Sequence, residues 1–147
     1  MFSEWKKQSL SLLTPGDSDV EDVILSVDKT SVIYSSSQSD VDRRHLWRVR
    51  VAGSAPQALT SGETIEWSPV QTGDGRSILC LGSATLPAMP YVVTVKGREM
   101  IAGQAMPGDF PSAVVVTPKQ VIFQSEDGMI LHGQLFLPST PMRRFPG

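Results

Sequence analysis

An all-β fold made of repeated groups of short strands is predicted by three observations on the 147-residue sequence. Apolar residues recur with a period of two, as in Trp47, Val49 and Val51 against Arg48 and Arg50, and again in Met129, Leu131, Leu135 and Leu137. The 12 glycines and 11 prolines are scattered along the chain, which leaves little room for long helices. The pattern also returns. Val20-Glu21 matches Ile65-Glu66, Asp28 before Val32-Ile33-Tyr34 matches Asp74 before Ile78-Leu79-Cys80, and Trp47 through Gly53 matches Tyr91 through Gly97, at offsets of 45, 46 and 44 residues. A strand-rich repeat of that length is what β-propeller blades show. The expected fold is a partial β-propeller of about two four-stranded blades, then a linker and a β-hairpin.

Each element has its own warrant. Residues 1–18 mix Phe2, Trp5, Leu10, Leu12 and Leu13 with Lys6-Lys7 and end on the turn signal Pro15-Gly16-Asp17, so they read as an incomplete strand pair. Residues 19–60 are predicted to be one blade, with strands around 23–25, 32–34, 46–51 and 57–60. In the third strand Trp47, Val49 and Val51 are expected to face a core while Arg48 and Arg50 face solvent. Residues 64–103 are the second blade by the repeat. If so, Trp47 and Tyr91 occupy equivalent third-strand positions, and Asp28 and Asp74 equivalent turns. Residues 104–118 carry Pro107, Pro111 and Pro118 and read as a linker bracketing an edge strand at 113–116. Residues 119–147 open with two alternating runs around Asp127-Gly128, two residues that tolerate positive φ, and so predict a hairpin. Such a ribbon is marginal in water until something packs on it. Its apolar face and the open blade flank predict self-association of this chain.

Composition excludes several classes of function. A net charge of −2 and a pI near 5.6 argue against nucleic acid, which needs clustered Lys and Arg. Arg43, Arg44, Arg48 and Arg50 are interleaved with Asp40 and Asp42 and read as a solvated strand face. The single Cys80 sits in the apolar run 78–81 and is expected to be a buried thiol. No apolar run approaches the ~20 residues of a membrane helix, and residues 1–7 lack a signal-peptide apolar region, so the compartment is not legible.

The string from Val121 to Pro138, VIFQSEDGMILHGQLFLP, resembles the start of the α/β-hydrolase domain in the prolyl oligopeptidase family of serine peptidases, near its dipeptidyl-peptidase branch. The features that carry the likeness are Phe123, Asp127-Gly128, His132-Gly133 and the run from Leu135 to Pro138. Upstream, Ile65-Glu66-Trp67-Ser68-Pro69 with Asp74-Gly75-Arg76 resembles the start of TolB-like propeller blades. Leu46-Trp47-Arg48-Val49 through Gly53, with Gln57-Ala58-Leu59-Thr60, is similar to their close. The sequence departs from that pattern at Ser54, where a second Gly is usual, and at Asp28-Lys29, where Asp-Gly is usual. The resemblance implies peptide hydrolysis through an acyl-enzyme, with short peptides as partners of a longer parent and this part supplying a substrate-gating propeller. The alternative is a non-catalytic propeller module that binds or scaffolds.

No catalytic, cofactor-binding or metal-binding residue is assigned. His45, His132 and many Ser and Asp are available, but no Gly-x-Ser-x-Gly occurs, and a hydrolase needs that strained elbow to expose its nucleophile. His45 reads as a rim residue holding a turn, and His132 as a structural histidine at a domain seam. Two histidines and one buried Cys give no metal-ligand spacing. Gly73-Asp74-Gly75 lacks the Lys-Ser/Thr of a phosphate loop. Trp5, Trp47 and Trp67 are expected to pack in the core rather than line a peptide or sugar groove.

Overall fold

A computed structural model describes residues 11–83 and 85–138. Among them, strands β1 (Val20–Leu25), β2 (Ser31–Ser36), β3 (His45–Arg50) and β4 (Gln57–Ala58) form one antiparallel sheet in the order β1-β2-β3-β4. Strands β5 (Ile65–Gln71), β6 (Ile78–Ser83), β7 (Met89–Thr94) and β8 (Gly97–Met100) form a second in the order β5-β6-β7-β8. Consecutive pairing throughout makes each sheet a meander, which is the form of a propeller blade.

The two blades repeat in register as well as in order. Tyr34 pairs with Trp47 across β2 and β3, and Cys80 pairs with Tyr91 across β6 and β7, so Trp47 and Tyr91 are equivalent third-strand residues. Both first strands carry a register shift, between Val20 and Val23 in β1 and between Trp67 and Val70 in β5. A bulge adds twist and re-aims the strand. In β5 it holds Ser68 at φ 49°, and the exposed Ser68 amide donates to Asp22 Oδ2 of β1 at 2.9 Å.

The turns repeat too. Asp28 Oδ1 accepts from the Ser26 hydroxyl (2.6 Å) and the Thr30 amide (3.0 Å), and Asp74 Oδ1 accepts from the Thr72 hydroxyl (2.6 Å) and the Arg76 amide (3.0 Å). A side-chain oxygen that bonds its own backbone two residues on closes such a turn. Both carboxyls are held below their ordinary value, chiefly by those hydroxyls. The next residue is left-handed in each, with Lys29 at φ 59° where Gly75 stands at φ 72°.

The core lies between the blades. Ile33 and Leu46 of the first sheet pack on Ile78, Cys80, Met89 and Tyr91 of the second, all buried. Complete burial of each large apolar side chain is worth about 1.5–3 kcal/mol over exposure. Tyr34 and Val49 are buried on the opposite face of the first sheet. Strand β3 is therefore covered on both sides at Leu46 and Val49, and of the expected solvated face only Arg50 is exposed while Arg48 is half-buried. Leu46, which alternates with Trp47 and shares the Arg48 side, is 0 % exposed because the second blade stacks there. Val51, expected to face a core, lies beyond the strand and is exposed.

Strands β9 (Lys119–Gln124) and β10 (Ile130–Leu135) form the hairpin as a separate antiparallel pair. Its loop is wider than a two-residue turn: Gln124 pairs with Ile130, and only Gly128 of the Asp-Gly pair has positive φ. Asp127 instead accepts from the Ser125 hydroxyl and the Met129 amide, repeating the blade turns. Between 101 and 118 the chain has a 3-10 turn at Gly103–Ala105 and further turns, such as Val114 amide to Pro111 carbonyl at 3.0 Å. The edge strand expected at 113–116 is absent, because these residues turn on Pro111 and pair with no strand. Of the strand pair expected in 1–18, residues 1–10 lie outside the described residues and 11–18 form no strand.

Candidate functional site

Two clusters of ionisable groups join elements that are far apart in sequence. The first is in the seam between the blades. Glu66, on β5, is 0 % exposed and has four side-chain partners: His45 Nδ1 at 2.9 Å, Thr60 Oγ1 at 2.8 Å, Thr64 Oγ1 at 2.5 Å and Arg98 Nε at 3.1 Å. Burial pushes this carboxyl up, but hydrogen bonds from His45, Thr64 and Thr60 outweigh it and hold Glu66 below the ordinary carboxylate value. Arg98 reaches Glu66 by lying over the Tyr91 ring, 4.0 Å from its centroid. Gly82 leaves the space for this, since a Cβ there would come within 2.6 Å of the Arg98 guanidinium. The same seam is tied by the Glu66 amide to the Arg44 carbonyl (2.9 Å) and by the Val27 amide to Gln71 Oε1 (2.8 Å).

His45 is thus no rim residue. It opens β3, is 5 % exposed, and its Nδ1–H donates into the seam, because the second blade covers the end of the strand that sequence alone leaves open.

The second cluster holds the hairpin. Asp42 lies in the loop between β2 and β3, and its Oδ2 accepts from His132 Nδ1 at 2.9 Å and from the Gln120 amide. His132 and Gln120 alternate onto one face of β10 and β9. The His132 hydrogen bond, ahead of the opposing effect of desolvation, depresses the Asp42 carboxyl. His132 therefore does sit at a seam, with the first blade as its partner.

Beside Asp42 is a cleft of about 840 Å³ between the hairpin, the second blade and the turns before β9. Ile65, Leu86, Phe110 and Phe136 supply its apolar wall, and Arg43, Glu63 and Lys119 bring charge to it. Largely apolar concavities of this size with a few polar groups are the usual form of small-ligand and peptide sites.

The histidines are not brought together as a catalytic pair: His45 engages Glu66 and His132 engages Asp42, and among the described residues neither bonds a serine hydroxyl. Cys80 is 4 % exposed, and burial first, then the Glu66 charge, raises its thiol to about 11, so it is an inert core group. Trp47 and Trp67 are half-buried strand residues outside the cleft, and Trp5 lies outside the described residues. The expected solvated arginine run is mixed, with Arg43 on Asp40 (3.0 Å) and Arg44 on Glu21. Among the described residues no cluster of three metal-ligating side chains occurs, and no helix is long and apolar enough to cross a membrane. Asp42, Glu66, Arg98 and Gln120 were missed as site residues. Only the repeat match of Glu66 beside Trp67-Ser68-Pro69 offered a signal.

Stacked four-stranded meanders with first strands side by side and a buried ionic seam define a run of β-propeller blades. The pattern of the family described as "Dipeptidyl peptidase IV (DPP IV) N-terminal region" matches residues 2–79, just over half of the chain. The chain belongs to that family, a peptidase-associated N-terminal region. No curated protein matches the sequence.

Proposed function

We propose that this chain is the propeller-to-hydrolase junction of a dipeptidyl-peptidase-type serine peptidase that cleaves short peptides. In this reading residues 19–60 and 64–103 are blades that restrict access, residues 104–118 join the two domains, and the hairpin begins the catalytic one. The observation that carries it is the Asp42 tie to His132 and Gln120, which fixes the hairpin against the first blade beside a peptide-sized cleft. A free-standing propeller has no use for a two-stranded ribbon with Ile122, Phe123, Ile130 and Phe136 all more than half exposed, whereas a following domain would cover it. The chemistry would be acyl transfer to a serine on a strained elbow, supplied by residues not found in this sequence.

The test begins with the coding sequence after Gly147. A His-Gly-Gly motif followed by Gly-x-Ser-x-Gly supports the peptidase, and an immediate stop codon sinks it in favour of a binding module. The protein expressed with that following sequence should then release chromophore from a dipeptidyl nitroanilide, and a serine-directed phosphonate should abolish the release.

A further inference from the structure

Six arginines fall among the described residues, and four have an acid within ion-pair distance: Arg43 with Asp40, Arg44 with Glu21, Arg76 with Asp74 and Arg98 with Glu66. Arg48 and Arg50 have none among the described residues. They stand two apart on β3, so they share a face, and both line one cleft of about 700 Å³ at the end of the first blade that carries the Asp28 turn. Arg48 is half-buried, and its Nε is sealed from solvent without a hydrogen-bond partner. That nitrogen gives up hydration that no hydrogen bond among the described residues replaces.

We propose that Arg48 and Arg50 form a binding site for the phosphate group of a small molecule. The cleft wall fits a tetrahedral oxyanion. Ser31 lies across from Arg50 and Gln57 lies across from Arg48, so a hydroxyl and an amide share the cleft wall with the two guanidinium forks. A planar carboxylate is satisfied by a single fork, whereas phosphate takes donors from several directions. The one acid on the wall, Asp28, has its Oδ1 engaged by Ser26 and Thr30, and it reduces the local charge to about that of one cation. A net charge of −2 disfavours a long polyanion, so the ligand is small.

Inorganic phosphate is the probe, titrated into the purified chain at constant ionic strength with thermal unfolding and phosphorus NMR line width as readouts. Saturable stabilisation is expected, with acetate far weaker. Arg50→Gln, at an exposed position, should weaken phosphate about tenfold, the loss of one charge-assisted contact. Arg50→Lys should recover only part of this, because charge returns without the fork. Equal stabilisation by acetate or sodium chloride, or an unchanged phosphate response in Arg50→Gln, overturns the site. So does the absence of saturation at millimolar phosphate in a chain whose circular dichroism shows folded strands.

Discussion

His132 on the hairpin and Asp42 in the first blade are 90 positions apart in sequence, and their side chains meet at 2.9 Å. The hairpin follows the second blade in the chain yet is held by the first. Contact along this seam is therefore set by how the blades stack and not by chain order.

Removing that acceptor should loosen the hairpin selectively. Asp42→Asn keeps the shape of the side chain but gives up the charge, and Asp42→Ala gives up both. Hydrogen exchange across 119–135 should accelerate in Asp42→Ala and to a smaller degree in Asp42→Asn, while exchange in β2 and β6 stays as it was. The pair is partly solvated, so global stability should change by less than about 1 kcal/mol. Equal acceleration in the blades would show that the tie is not local.

Acid should strike the other seam. Glu66 has a folded-state value below its ordinary 4.5, so its contribution is fully present above that value and is lost as pH falls through the lower folded one. Urea midpoints should drop below about pH 4.5 in the parent chain and show a weaker acid dependence in Glu66→Gln. At neutral pH Glu66→Ala should cost about 3–5 kcal/mol, because it strands Arg98 beside a buried cavity.

The blade turns offer an internal comparison. Lys29 is held in the left-handed region that Gly75 occupies in the next blade. Lys29→Gly should leave stability unchanged or raise it by up to about 1 kcal/mol, and Gly75→Ala should lower it by about 1 kcal/mol. Chemical denaturation of the two variants checks the pairing, and a loss in both would show that the turns differ.

This chain by itself should hydrolyse no dipeptidyl or prolyl chromogenic substrate, since no nucleophile elbow is in its sequence. Turnover above buffer that a serine-directed phosphonate blocks would overturn this.

The hairpin should make the isolated chain self-associate. Met129, Leu135 and Leu137 are exposed and Leu131 half-buried on one side, with Ile122, Ile130 and Phe136 exposed on the other. Leu131→Lys with Leu135→Lys should reduce association measured by size exclusion with light scattering, and Ile130→Lys should reduce it further. A monodisperse parent chain that binds no surface-sensitive dye would show that the ribbon needs no cover.

The amino-acid sequence by itself determined the all-β class, the two matched blades down to the Trp47–Tyr91 and Asp28–Asp74 equivalences, and the hairpin. These rest on period-two alternation and on Asp and Gly in turns, which act over a few residues and so leave a local record. Only the tertiary structure decided that Leu46 and Val49 are buried on opposite faces of β3, that His45 and Arg98 both meet Glu66, and that Asp42 takes up His132 and Gln120. Asp42 and Glu66 look in sequence like any acid in a mixed-charge run. Their histidine partners lie 90 and 21 positions away, brought within hydrogen-bond reach only by tertiary packing, and packing of that kind is written in no local pattern.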